Sequence, residues 1–231
     1  MNNGLLLAGG ALAVFLLTTS GKRASSQSTS KPPPTRGSKP PQGSRVAPTR
    51  CDYEIYSWSS SLGRAVDRKA VSKDYGAVSG DERSTIDPRC TICEGDQVWI
   101  DLPGVEPFRA CWAHAEQIEQ ALMRARDQGA VIEKVTGYRP GRTGGPLDSQ
   151  GRRTLLGNHA YGMALDINAE QNGMYSGGRL RHGGAYHPEG GDPRTITRDS
   201  GIYRELTGAG LTWAGDLDLS YDDWMHFSKE A

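Results

Sequence analysis

The chain has no apolar stretch long enough to cross a bilayer comfortably, no second pair of closely spaced cysteines, no internal repeat, and no acidic residue before Asp52. Residues 4–19 are uncharged and mostly apolar, but as a helix they would span roughly 24 Å, whereas a crossing takes about 20 residues. The leading Met-Asn-Asn carries no Lys or Arg and no clear Ala-x-Ala cleavage site follows, so residues 1–20 read equally as a signal peptide or as an uncleaved membrane anchor. Lys22 and Arg23 argue against export by the positive-inside rule, and the rest of the chain argues for it. The missing second Cys-x-x-Cys disfavours a zinc ribbon and leaves Cys90 and Cys93 beside the isolated Cys51 and Cys111. An even count behind an export-like segment suggests up to two disulfides in any of three pairings.

What is present divides the chain. Residues 21–50 hold six prolines and seven basic residues (Lys22, Arg23, Lys31, Arg36, Lys39, Arg45 and Arg50) with almost nothing apolar to bury, a semi-extended linker. The formal net charge of zero therefore hides an asymmetry, because residues 51–231 keep 20 basic against 27 acidic residues. The basic tether suits an anionic lipid or wall polymer as well as it suits a solvated spacer. No nucleic-acid partner is expected, and the oligomeric state is not readable.

In 112–128, Ala115, Ile118, Leu122 and Ala125 form one stripe at helical spacing, with Gly129 as C-cap. Residues 130–139 are rich in β-branched side chains and stop before Pro140, a strand delivering Tyr138 and Arg139 to its end. Residues 141–157 read as loop, and so does the glycine-dense stretch 171–194. Residues 163–168 alternate as a strand, with Met163, Leu165 and Ile167 on one face and Ala164, Asp166 and Asn168 on the other. Residues 198–206 read as a short helix stopping at Gly208, and 211–213 and 224–227 as short strands.

His159 and Asp166 in Gly157-Asn-His-Ala-Tyr-Gly-Met-Ala-Leu-Asp-Ile-Asn168, together with His226 in Asp222-Asp-Trp-Met-His-Phe227, offer two imidazoles and one carboxylate. That set suits a single zinc ion with a fourth position open to water, the catalytic rather than the structural arrangement. Fully extended, the chain would hold His159 and Asp166 roughly 23 Å apart, so it must turn between them, and Gly162 is the pivot. A lone histidine is more often a packed or surface residue, which is the reading kept for His114, His182 and His187.

The motifs Gly-Tyr-Arg (137–139), His-x-x-Gly-x-Ala-x-Asp-Ile-Asn (159–168), Gly-Leu-x-Trp (210–213) and Asp-x-x-His-Phe (223–227) follow one another along the chain. Over about residues 112–230 the chain resembles the zinc D-alanyl-D-alanine carboxypeptidases and L-alanyl-D-glutamate endopeptidases, which include vancomycin-resistance carboxypeptidases and phage endolysins. The resemblance implies that His159, Asp166 and His226 hold Zn2+, that Asp223 is general base and later acid, and that Arg139 steadies the scissile carbonyl. Strict alternation would turn Asp222 rather than Asp223 to the face of His226, so the assignment requires a bend before the histidine. Tyr161 and Trp213 could line the cleft, although ordinary packing is the better explanation for a lone aromatic beside a strand. Ala214-Gly-Asp216 departs from the family's usual Gly-Gly.

The expectation is an α+β fold, a small antiparallel sheet with flanking helices: leader 1–20, linker 21–50, a cysteine-bearing segment 51–111 of unassigned role, and a zinc peptidase domain 112–231. The expected substrate is a peptidoglycan stem peptide, met outside the cytoplasm. The bond cut is either D-Ala-D-Ala or the L-Ala-D-Glu type, and the rival reading is a catalytically silent zinc-containing binding module.

Overall fold

The computed structural model describes residues 45–230; the leader expected over 1–20 and the linker up to residue 44 lie outside the described residues. Two long antiparallel strands come first, β1 (Arg50–Ser59) and β2 (Arg64–Asp74). Along β1 Cys51, Tyr53 and Ile55 point inward and Arg50, Asp52 and Glu54 outward, the period of two expected of a half-buried strand. A second hairpin, β3 (Gln97–Ile100) with β4 (Phe108–Cys111), leads into α1 (Ala115–Asp127). The helix begins at Ala115, the first residue of its apolar stripe and three residues into the expected 112–128, and Gly129 follows its end at φ 91°.

The remaining strands are short: β5 (Val135–Thr136), β6 (Gly141–Leu147), β7 (Arg153–Leu156), β8 (Ala164–Ile167), β9 (Met174–Ser176) and β10 (Arg179–His182). After α2 (Gly201–Gly208) come β11 (Thr212–Trp213), β12 (Asp222–Asp223) and β13 (His226–Ser228). They assemble as β2-β1-β6-β7, β10-β9-β12 and β11-β13-β8-β5, beside the β3-β4 pair. Every pairing is antiparallel except β1 with β6. The fold is α+β, with several small antiparallel sheets rather than one and two α-helices among the described residues.

Three local expectations are corrected. The stretch 130–139 is a strand only at Val135–Thr136, where it pairs with β8; beyond, Tyr138 donates its N–H to Arg109 O (2.7 Å) and Arg139 to His159 O (3.0 Å). The supposed loop 141–157 is the β6–β7 hairpin, a polar, glycine-rich ladder without alternation that joins β1 through long-range pairing. The supposed loop 171–194 contains the β9–β10 hairpin, closed by Gly177 and Gly178 at φ 60° and 72°, as a two-residue turn with positive φ at both positions requires.

The main core joins the buried stripe of α1 (Ala115, Ile118, Ala121, Leu122, Ala125) to Ile202 and Leu206 of α2, Leu165 and Ile167 of β8, and Phe227 of β13. Ile100, Leu102 and Phe108 enter the same core from the cysteine-bearing stretch, each large side chain adding about 1.5–3 kcal/mol by leaving water. A second cluster under β1 packs Tyr53 and Ile55 on Val78 and Ile92. There Glu82 accepts hydrogen bonds from Tyr53 and Lys73, locking β1, β2 and the following turn together. The cysteines pair as Cys51–Cys93 and Cys90–Cys111, and the second bridge packs with Met163, next to β8. Among the described residues no helix is long and apolar enough to cross a membrane.

Candidate metal centre

A 3-10 turn over Asn158–Tyr161 ends at Gly162, whose φ of 67° reverses the chain into β8. A Cβ at that position would lie 2.0 Å from Gln97 Oε1 and 2.5 Å from the Cys111 nitrogen, so the pivot needs glycine for conformation and for room. The turn brings His159 Nε2 to 3.0 Å from Asp166 Oδ1. His226 arrives from β13, opposite Asp166 in the ladder, with Nδ1 2.9 Å from the same oxygen. The three side chains offer one ligand atom each, all within 4.8 Å of one another, and could hold a metal ion.

Outer contacts decide which ring nitrogens face inward. His159 Nδ1 is 2.8 Å from Gly137 O; a carbonyl only accepts, so that nitrogen carries the proton and Nε2 turns its lone pair to Asp166. On His226 it is Nε2 that meets Ser228 Oγ (3.1 Å), leaving Nδ1 inward. Burial pushes the His159 pKa down, helped by Arg139, against the pull of Asp166. Burial alone would raise the Asp166 carboxyl, but His159 and His226 outweigh it and hold it well below the usual range. A neutral ring nitrogen facing an ionised carboxylate at 3.0 Å is a pair of acceptors, and a cation shared between them resolves the conflict. The donor set thus fits a divalent metal of intermediate softness such as zinc.

The bend that the sequence required before His226 is present. Asp222 and Asp223 pair with Tyr175 and Met174 of β9, the chain turns at Trp224–Met225, and His226 resumes in the neighbouring sheet on β8. Asp222 stays exposed while Asp223 turns inward, its Oδ1 buried without a hydrogen-bond partner among the described residues. Burial, then the Asp166 charge, raises the Asp223 carboxyl to about 6, with His226 and Arg139 opposing. Arg139 donates from Nη2 to Asp166 Oδ2 at 2.9 Å and leaves about a third of its side chain exposed. Hydrogen bonds and charge interactions therefore join His159, Asp166, His226, Asp223 and Arg139 in one cluster.

The other candidates lie elsewhere. Trp213 is buried in the core and donates to Trp224 O (2.9 Å), and Tyr161 packs beside Met163 and donates to Asp81 O (2.8 Å). His114 lies 3.0 Å from Asp87, near Cys90, but that sulfur is spent in a disulfide. His182 is exposed. Two residues that orient the rings were not anticipated, Gly137 and Ser228. The serine had a legible signal, since two positions on from His226 along a strand is the same face.

No curated protein and no solved structure matches the chain. Residues 150–229, which contain His159, Asp166, Asp223 and His226 but not Arg139, match the model of the D-alanyl-D-alanine carboxypeptidases, the peptidase family to which the sequence motifs point.

Proposed function

We propose that this protein is a zinc-dependent peptidase acting outside the cytoplasm, which hydrolyses an amide bond in the peptide stems of peptidoglycan. The observation that carries the reading is the convergence of two oriented imidazoles and Asp166 beside a buried Asp223 oxygen that has no hydrogen-bond partner among the described residues. His159 Nε2, His226 Nδ1 and Asp166 would hold the metal. A bound zinc ion supplies a Lewis-acid centre that lowers the pKa of water to about 7. Asp223 takes the proton of the attacking water at its carboxylate and returns it to the leaving amine nitrogen, burial raising this carboxyl against the lowering that a bound cation brings. The fixed guanidinium of Arg139 meets the negative charge that develops on the scissile carbonyl oxygen. The two disulfides, both in buried clusters, agree with an oxidising compartment.

The test is incubation of the full chain with intact peptidoglycan, with and without a chelator, followed by mass analysis of the fragments. Loss of a terminal D-Ala identifies a carboxypeptidase and a new terminus after L-Ala an endopeptidase, both abolished by chelation and restored by zinc. No new termini at all would favour the silent binding module and overturn the proposal.

A further inference from the structure

Tyr138 stands between two residues of the site, Arg139 and Gly137, whose carbonyl lies 2.8 Å from His159 Nδ1. β5 stops at Thr136, and the buried Tyr138 is tied instead to the cysteine-bearing stretch. Its N–H donates to Arg109 O of β4 at 2.7 Å, and its hydroxyl donates to Ile92 O, also at 2.7 Å. The Arg109 guanidinium lies over the phenol ring, 4.7 Å from its centroid. β4 passes so close that a Cβ on Gly137 would meet Arg109 O at 2.2 Å.

Both acceptors of Tyr138 belong to a cross-linked mount. Ile92 lies between Cys90 and Cys93, and Arg109 lies two residues before Cys111. Cys90–Cys111 joins the Ile92 loop to β4, while Cys51–Cys93 joins it to β1. All four sulfurs and Ile92 sit in fully buried residues. The same β4 supports the other half of the ligand pair, because the Cys111 N–H donates to Gly162 O at 2.9 Å, at the pivot between His159 and Asp166. Tyr138 and everything that holds it precede the family match at 150–229. A ligating histidine depends on the acceptor at its other ring nitrogen for orientation, and Arg139 in turn donates its N–H to His159 O at 3.0 Å. A shift of Tyr138 would therefore reach His159 from both neighbouring residues.

We propose that Tyr138 is a positioning residue: its hydroxyl, held by Ile92 O, fixes the Gly137 carbonyl that orients His159 towards the metal, and the disulfide-linked stretch serves the site as its mount. The proposal rests on the peptidase reading above. The test compares two variants of the full chain. Tyr138→Phe keeps the ring and removes only the hydroxyl. Ile202→Val, in the main core on α2, controls for a comparable loss of stability. Zinc affinity is read by calorimetry, and the His159 Nδ1–H signal by 15N NMR of metal-free protein, identified by its loss in His159→Gln.

Tyr138→Phe is expected to weaken zinc binding by about threefold to tenfold, within what one neutral hydrogen bond is worth. Its His159 Nδ1–H signal should shift and exchange faster, and Ile202→Val should change neither readout. Equal effects in the two variants, or no effect of Tyr138→Phe, would overturn the proposal. If Tyr138→Phe does not fold, the pair Cys51→Ala and Cys93→Ala, which frees the Ile92 loop from β1, takes its place with the same readouts. Should the wild type bind no zinc, the peptidase reading fails and the NMR arm still decides. A His159 signal that moves in Tyr138→Phe alone supports positioning, and one that moves in both variants or in neither refutes it.

Discussion

Burial separates Asp223 from its neighbour Asp222, which stays exposed in the same two-residue strand. A carboxyl raised to about 6 remains protonated at pH values where an ordinary aspartate, with a pKa of about 3.9, is already ionised. In metal-free protein the 13C carboxyl signal of Asp223 should therefore titrate with a midpoint of about 6, and zinc should lower it, because a nearby cation favours the charged form. A midpoint at the ordinary value would contradict the buried environment. Asp223→Asn should cut kcat by about 10²–10⁴, the usual contribution of a general base, with zinc content by elemental analysis unchanged. The sequence alone favoured Asp222 by alternation and Asp223 by family spacing. The bend at Trp224–Met225, which no local residue preference announces, turns Asp223 inward and leaves Asp222 exposed.

Among the elements, the turn between His159 and β8 sets the spacing of two candidate ligands, and it rests on Gly162. Left-handed backbone costs a non-glycine residue about 1–2 kcal/mol by itself, and a Cβ there also meets the Cys111 backbone nitrogen at 2.5 Å. Gly162→Ala should destabilise the fold by more than that figure in urea titrations and weaken zinc binding by calorimetry. Gly177→Ala, at φ 60° with nothing within 4 Å, supplies a control that should leave zinc affinity unchanged. A Gly162→Ala protein binding zinc as well as wild type would show that the turn does not set the pair. Both the pivot and the β8 strand were readable in the sequence, because glycine and alternation are local signals. The β6–β7 hairpin was not readable, since its residues neither alternate nor bury a face until β1 pairs beside them.

Across the whole molecule, stability depends on covalent closure as well as on the core. Cys51–Cys93 and Cys90–Cys111 span 42 and 21 residues, which in the chain-entropy account contribute about 4 and about 3 kcal/mol by restricting the unfolded chain. Replacing either pair by serine should lower the melting temperature in calorimetry by roughly 6–16 °C, at the 2–4 °C per kcal/mol usual for this size. An unchanged transition would mean that the bridges add nothing to the folded state. Zinc should raise the same transition and a chelator reverse it, as any ligand bound only by the folded form does.

By itself the sequence determined the identities of the ligand candidates, the two helices and the β8 strand, because apolar periodicity, turn glycines and motif spacing act over a few residues. It also limited the cysteines to three pairings. Which pairing forms, which of two adjacent aspartates turns inward, and that Tyr56 lies against Gly141 were decided only by tertiary structure. Those outcomes depend on strands separated by tens of residues meeting edge to edge, and on the burial that follows when they do.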